Sequence, residues 1–266
     1  MKIALKFVGV SLALLIAVAL LGVVLVVLRI EEPPGPAPLS TERFTEQHSA
    51  AIAKTEAWLS DAQAETRLPS IGLAVGVGGN VVWAGAIGYV DVDSGIAATP
   101  QHRYRVGSVA KAFTAVAMGK LVQDGYLEFD DDYHDWVPEF PEKQGPFSLR
   151  QLASHLAGVR HYHSGLAGFM EQYRQTQYDS VSAALELVAD DPLAFPPGTA
   201  FQYSSYGYNL LSVALERAAD IPYLELMQRS VFEPYAMGST PTRTVPSPTS
   251  PYPIWCGTMS SSDNHR

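Results

Sequence analysis

The feature that most constrains this chain is an uncharged apolar segment near its N-terminus. From Phe7 to Leu28 it reads FVGVSLALLIAVALLGVVLVVL, which is 22 residues. As a helix this segment would span about 33 Å, close to the thickness of the hydrocarbon core of a bilayer. We therefore predict a transmembrane helix within residues 1–30, which leaves the rest of the chain to build a domain facing water.

A cleavable signal peptide is the alternative interpretation of this segment. Such peptides usually have an apolar region of about 7–15 residues followed by a small-x-small cleavage site, whereas here Arg29, Ile30, two glutamates and two prolines follow. We favour an uncleaved signal anchor. Lys2 and Lys6 precede the segment, so the positive-inside rule predicts a single-pass protein with its C-terminal domain extracytoplasmic, on the periplasmic side if the source is bacterial.

Composition and charge limit the function classes. The chain has 266 residues, 47% of them hydrophobic and 17% charged, which is enough apolar material for one sizeable domain. The formal net charge is −9, and every acidic residue follows the apolar segment, which argues against nucleic acid as a partner. The single cysteine, Cys256, excludes an intramolecular disulfide, and we interpret it as an inert thiol.

The rest of the chain divides into three parts by composition. Residues 31–41 are proline-rich and predict an extended linker. Residues 42–238 carry the periodic apolar patterns of a folded domain. Residues 239–266 are rich in proline, serine and threonine without apolar periodicity, which predicts a disordered or aberrant tail.

The domain pattern places strands first and helices second. A helix is predicted over Glu42–Ala64, followed by a hairpin of Ile71–Val77 and Val81–Tyr89 around Gly78-Gly79-Asn80. Helical spacing begins at Ser108 and ends near Gly125. Further helices are predicted over Leu149–Leu156, Val181–Val188, Tyr208–Ala218 and Tyr223–Val231. The fold class is therefore α+β, an antiparallel sheet beside a helical subdomain with a cleft between them.

The sequence Ser108-Val109-Ala110-Lys111 carries the chemistry of a nucleophile and its base. At the start of a helix, a spacing of three puts both side chains on one face, so the hydroxyl and the amine can touch. A serine hydroxyl is a poor nucleophile at neutral pH and needs such a base. A helix N-terminus also offers backbone N–H groups to a developing oxyanion. By itself S-x-x-K is a weak signal, because a serine cap followed by a surface lysine has the same pattern.

Three successive blocks surround this motif in the order and spacing of a known family. They read RYRVGSVAKAFTAVAMGKLVQDGYLEFDD, SLRQLASHLAGVRHY and PPGTAFQYSSYGYNLLSVALE. Together they resemble the serine β-lactamase and penicillin-binding-protein family, and especially its class C β-lactamase, esterase and D-aminopeptidase branch. The stretch VPEFPEK with SHLAGVRHY resembles the mitochondrial β-lactamase-like serine hydrolases. The resemblance covers about residues 69–237.

The resemblance implies roles for further residues. The second family motif is Tyr-x-Asn, whose tyrosine moves the proton from nucleophile to leaving group and whose asparagine binds substrate. The matching residues here are Tyr203, Ser204 and Ser205. Tyr203 is thus expected to be catalytic with Ser108 and Lys111, and Ser205 to make a different or weaker substrate contact. The implied activity is acyl transfer to water on an amide, β-lactam, peptide or ester, with a small-molecule or peptide substrate.

The third family motif, Lys or His followed by Ser or Thr and Gly, is not found after Tyr203. His163-Ser164-Gly165 matches by letter, but it lies in the wrong order, and we reject it as a chance match. We expect a sheet that lacks its C-terminal strands and slow or absent turnover. Two alternatives stay open: a catalytically impaired relative that binds without turnover, and a truncated or frameshifted fragment of a longer hydrolase.

The remaining candidate sites are weaker. The pair His161 and His163 lacks further metal ligands at suitable spacing, so solvated loop histidines are expected. Asp130-Asp131-Asp132 lacks the glycine and terminal glutamate of a calcium loop and predicts a solvated turn. No G-x-S-x-G, dinucleotide or phosphate-loop motif occurs, so we predict no cofactor and no metal.

Overall fold

The computed structural model describes residues 17–18, 20–22, 37–172 and 180–240. By their internal contacts, the described residues up to His102 form one compact unit and those from Arg103 onward form a second. Strands occur in the first unit and most helices in the second, as the sequence pattern predicts. The architecture is α+β.

The first unit is built on an antiparallel sheet. Its strands are β1 (Leu39–Arg43), β2 (Ser70–Val77), β3 (Asn80–Asp91) and β4 (Ile96–Ala97). The order is β1-β3-β2, with β4 also paired to β3, so within the described residues this sheet is open. The predicted hairpin is confirmed: β2 and β3 join through Gly78 and Gly79, at φ of 60° and 80°. Two consecutive positive φ values suit the tight turns that match the twist of a hairpin.

The backbone of β3 also lies very close to the backbone just before the start of β2. Gly88 on β3 has φ of 93°, and a Cβ added there would lie 2.1 Å from the carbonyl oxygen of Pro69. The next residue, Tyr89, donates its backbone N–H to the same oxygen at 2.8 Å. This contact requires glycine, both for its backbone angle and for its lack of a side chain.

Helix α1 (Ser49–Thr66) covers one face of the sheet. Ile52 and Leu59 of the helix are buried with Trp83 and Ile87 of β3 and form the core of the unit. The Trp83 indole N–H donates to the carboxylate of Glu56 at 3.1 Å, and Arg43 pairs with that carboxylate at 2.7 Å. One glutamate therefore ties the helix to both β1 and β3.

The second unit is helical. Its helices are α2 (Ala110–Gln123), α3 (Tyr133–Trp136), α4 (Leu149–Ala153), α5 (Gly165–Gln172), α6 (Ser205–Ala219) and α7 (Tyr223–Met227), with 3-10 turns at Gly107–Val109 and Ser182–Leu187 and a π-turn at Gln228–Phe232. Helix α6 lies at the centre, because Leu210, Leu211, Val213, Ala214 and Leu215 are all fully buried. This core anchors the elements that carry the candidate site.

Several predicted boundaries differ from the structure. The first helix begins at Ser49 rather than Glu42, because residues 39–43 pair with β3 as a strand. That strand begins within the segment predicted as linker. The predicted helix Val181–Val188 is a 3-10 turn, and the helix predicted from Tyr223 to Val231 passes into a π-turn at Gln228.

The predicted membrane segment lies mostly outside the described residues. Residues 17–18 and 20–22 within it are helical, with the side chains of Val18, Leu20 and Leu21 exposed. Across the residues that the structure describes, no helix is both long and apolar enough to cross a bilayer. The predicted tail likewise falls almost wholly outside them, beyond Thr240.

Candidate active site

Ser108 lies in the 3-10 turn Gly107–Val109, which leads directly into helix α2. Lys111 follows in the first turn of the helix, and its Nζ donates to Ser108 Oγ at 3.3 Å. The predicted contact between hydroxyl and amine is therefore confirmed. The turn also engages nearby amides: the N–H of Val109 donates to the Val106 carbonyl and that of Ala110 to the Gly107 carbonyl.

Tyr203 approaches the same serine from the segment before helix α6. Its phenol donates to Ser108 Oγ at 2.7 Å, a shorter distance than that to the lysine. The Lys111 ammonium lies 4.9 Å from the centroid of the Tyr203 ring and 5.5 Å from that of Tyr208. Cations at such distances are attracted to the faces of aromatic rings. The structure thus brings together the three predicted catalytic residues.

Ser205 is the first residue of helix α6, and its Oγ accepts from Lys111 Nζ at 3.3 Å. The lysine therefore bridges Ser108 and Ser205. Beside it, the buried Ser204 caps the helix: its Oγ accepts from the Gly207 amide at 2.9 Å and donates to the Arg160 carbonyl at 2.7 Å. The predicted substrate residue is thus already hydrogen-bonded to the predicted base.

The surroundings of Tyr203 alter its acidity. Partial burial works to raise the pKa of its phenol, but hydrogen bonds with Lys111 and Ser108 and the charge of Lys111 outweigh burial and leave the pKa below its ordinary value. Proton transfer is easier when the pKa of the group lies nearer to the working pH. The geometry therefore suits a phenol that exchanges protons with Ser108.

Two histidines that the sequence did not single out as site residues contact the Tyr203 segment. His155 accepts the backbone N–H of Ser204 at its Nδ1, and His161 accepts that of Ser205, both at 3.2 Å. Their rings lie 4.6 Å and 5.2 Å from the Tyr203 ring. His161 lies in a loop, as expected, but it is half-buried and hydrogen-bonded and not simply solvated. Both histidines belong to the SHLAGVRHY block, which was the available signal.

A network of charges supports the loop that carries His161. Arg160 donates to Glu171 at 2.8 Å and to Asp191 at 2.6 Å, and its carbonyl accepts from Ser204. Glu171 also accepts from the Tyr206 phenol and from the backbone and ring of His163. Burial works to raise the pKa of Glu171, but these hydrogen bonds lower it to about 2. The carboxylate is therefore charged at any ordinary pH.

The other sequence candidates have structural roles. The triplet His163-Ser164-Gly165 leads into helix α5 and not into a strand, which agrees with its rejection as the third family motif. In the acidic triplet, Asp130 pairs with the exposed Arg150 and Asp132 caps helix α3, so the triplet is a structural turn. Where the structure describes the chain, no cluster of His, Cys, Asp or Glu is arranged to hold a metal.

This chain is similar to several known proteins. A family model described as Beta-lactamase matches residues 55–259, which include the whole site. The human protein named "Serine beta-lactamase-like protein LACTB, mitochondrial" is 28% identical over 261 residues, covering 74% of this chain and 47% of its own length. Penicillin-binding protein 4* of Bacillus subtilis is 26% identical over 165 residues, covering 61% of this chain and 36% of its own.

A solved structure shares the fold. The octameric penicillin-binding protein homologue of Pyrococcus abyssi aligns with a TM-score of 0.60 and 26% identity, over 70% of this chain and 43% of the other. The chain spans less than half the length of each of these proteins.

Proposed function

This chain belongs to the beta-lactamase family, and we propose that it is a serine hydrolase that forms an acyl-enzyme at Ser108. One observation carries the proposal: Ser108 Oγ lies within hydrogen-bond distance of both the Lys111 amine and the Tyr203 phenol. Covalent acyl transfer needs a nucleophile with an adjacent base, and a second proton carrier in contact can protonate the leaving group.

In the proposed reaction, Lys111 first loses a proton to solvent and acts as the neutral amine. Ser108 Oγ then attacks the carbonyl carbon of an amide, β-lactam or ester, and its proton passes to Lys111. Tyr203 then gives a proton to the leaving group as the bond between carbonyl carbon and leaving group breaks. Lys111 restores the proton to Tyr203 across the short contacts of the site. Water then hydrolyses the acyl-enzyme in the second half of the reaction. The hydroxyl of Ser205 keeps the lysine in place between the two serines.

A second candidate is a relative that is acylated but turns over slowly. It is favoured by the 3-10 turn, because two amides beside Ser108, those of Val109 and Ala110, already donate to backbone carbonyls and are not free to bind an oxyanion. Loss of one oxyanion donor lowers rates by about 10²–10³-fold. Burst kinetics distinguish the candidates, because slow turnover gives one equivalent of product followed by a nearly flat phase.

The test is covalent labelling of the folded protein with a fluorophosphonate and with a fluorescent penicillin. We expect label at Ser108, none in Ser108→Ala, and rates lower by about 10²-fold or more in Lys111→Ala and Tyr203→Phe. Matched controls are Lys120→Ala, on the same helix, and Tyr126→Phe, an exposed tyrosine. Both should label as the unmodified protein does. Label that survives Ser108→Ala would refute the proposal.

We also propose that residues 7–28 anchor the domain to a membrane, with the catalytic domain on the extracytoplasmic side. The proposal is supported by the uncharged length of the segment and by the lysines that precede it. The full-length protein should stay in the membrane fraction through alkaline carbonate washing. Soluble protein whose mature N-terminus lies near residue 31 would contradict the anchor.

A further inference from the structure

Two histidine rings contact the ring of the proposed proton carrier. His155 lies 4.6 Å from the Tyr203 centroid at a tilt of 44°, and His161 lies 5.2 Å away, nearly edge-on at 86°. The segment Ala153–His161 and the segment Tyr203–Ser205 are more than forty residues apart in sequence. The tyrosine ring is thus held by side chains from a distant part of the chain.

The same rings also hold the backbone on the C-terminal side of Tyr203. Consecutive amides, those of Ser204 and Ser205, donate to Nδ1 of His155 and Nδ1 of His161. A ring nitrogen accepts only when it carries no proton, so both imidazoles must be neutral with their proton on Nε2. The two hydrogen bonds therefore exist in one tautomer and one charge state.

We propose that His155 and His161 are positioning residues, which act as neutral acceptors to hold Tyr203–Ser205 with the Tyr203 phenol against Ser108. The expected effect on rate rests on the proposed function, whereas the hydrogen bonds and the protonation state of the two rings do not. We call the two residues the histidine pair. It contacts the tyrosine ring and accepts hydrogen bonds from the two backbone amides that follow.

The charges that face the histidine pair favour its neutral form. Burial lowers the pKa of His155, and the charges of Lys111 and of a protonated His161 lower it further. Burial and Lys111 also lower the pKa of His161, although Glu171 opposes them. Burial and the adjacent Lys111 thus keep the pair in its accepting state near neutral pH.

Other groups pack against the pair without reversing this preference. Tyr208 and Phe201 contact His155, and Tyr162 contacts His161. Arg160 donates to the backbone carbonyl of His161 at 3.0 Å and adds a further positive charge nearby. Because the pKa values of both histidines lie below the ordinary value of 6.5, the accepting state predominates above that pH. It is lost as the pH falls through the lowered values.

Protonation of either ring would have two effects. It would replace the acceptor at Nδ1 with a donor that faces a backbone N–H, and it would add a cation beside Lys111. Both effects release the Tyr203 segment. The acylation rate should therefore fall on the acid side with the titration of these histidines, in addition to any fall due to the base itself.

Asparagine provides a discriminating substitution. Its side-chain oxygen lies at about the position of Nδ1 and can accept the same amide, but it does not titrate. We expect His161→Asn to label at a rate within about threefold of the unmodified protein at pH 7.5 and to lose part of the acid-side decrease. His161→Leu removes the acceptor and should label at least tenfold more slowly. His134→Asn, on helix α3, is the matched control and should change neither rate nor profile.

A second measurement does not depend on activity. In full-length protein with ¹⁵N-labelled histidine, long-range ¹H–¹⁵N spectra at pH 7.5 should show both rings with an unprotonated Nδ1 and a protonated Nε2. On acidification, the backbone amide signals of Ser204 and Ser205 should move with the ring signals. Complete absence of labelling at Ser108 would refute the proposed function and leave this result standing.

Three results would contradict the proposed role of the histidine pair. They are a ring protonated at Nδ1 at pH 7.5, Ser204 and Ser205 amides that do not respond to ring titration, and a folded His161→Leu variant that labels as fast as the unmodified protein. If His161→Leu does not fold, the spectra of the unmodified protein and the pH profile of His161→Asn decide the question.

Discussion

The carboxylate of Glu171 offers a quantitative test of the network behind the site. Its two oxygens accept four hydrogen bonds, from the side chains of Arg160 and Tyr206 and from the backbone and ring of His163. The side chain is 13% exposed, so solvent screens it little. Glu171→Gln keeps the shape of the side chain but removes its charge and one acceptor oxygen.

The magnitude follows from the acidity of this group. A pKa of about 2 in the folded protein, against an ordinary value of 4.5, corresponds to about 3–4 kcal/mol of folding free energy at about 1.4 kcal/mol per pKa unit. Because the folded-state pKa is the lower one, this stability is present above pH 4.5 and is lost as the pH falls toward 2. We expect Glu171→Gln to lower the free energy of unfolding by about 3–4 kcal/mol at pH 7.

The assay is urea unfolding followed by circular dichroism at 222 nm, which mainly reports the helical second unit. The difference between the unmodified protein and Glu171→Gln should shrink steadily between pH 4.5 and pH 2. The matched control is Asp130→Asn, which removes the same kind of charge from an arginine pair with side chains 56% and 71% exposed. Exposed pairs contribute little, so this variant should unfold almost as the unmodified protein does.

Two results would refute this reasoning. A loss below about 1 kcal/mol at pH 7 would mean that the hydrogen bonds to Glu171 do not outweigh its burial. A difference that does not change between pH 7 and pH 2 would mean that the effect comes from packing and not from charge.

Two further predictions concern packing. Leu210→Ala, at a fully buried position of helix α6, should lower the free energy of unfolding by about 2–5 kcal/mol, whereas Leu224→Ala, at a position 47% exposed, should change it little in the same urea assay. Gly88→Ala should destabilise the sheet unit strongly, because a Cβ there would lie 2.1 Å from the Pro69 oxygen. At Gly95, φ is also positive but the surrounding space is open, so Gly95→Ala should lower the free energy of unfolding by only about 1 kcal/mol, measured by thermal unfolding. Equal losses of stability for Leu210→Ala and Leu224→Ala, or for Gly88→Ala and Gly95→Ala, would contradict the assigned contacts.

Local features of the sequence predicted much of the site. Ser108 and Lys111 are three residues apart, and this spacing alone brings their side chains together once a helix forms. The hairpin was equally predictable, because two glycines between apolar runs leave few other conformations. Tyr203 was identified only through the resemblance of its block, since no periodicity of the chain relates it to Ser108.

Other features depend on contacts between distant segments, which local patterns do not encode. His155 and His161 became part of the site because their rings meet amides 49 and 44 residues later in the sequence. Strand β1 was missed because LSTER contains one apolar residue and forms a strand only by pairing with β3. Tertiary pairing of this kind overrides the weak propensity of a short polar segment.

Strand β2 has a consequence for handling the protein. Its sequence, SIGLAVGV, has no charge and no proline, and within the described residues it pairs with β3 along one side. Natural sheets protect such edges with charges, prolines or a covering segment, because an open edge templates addition of another strand. Concentrated solutions should therefore form intermolecular β-structure that binds thioflavin T, and a lysine at an outward-facing position of this strand should delay it.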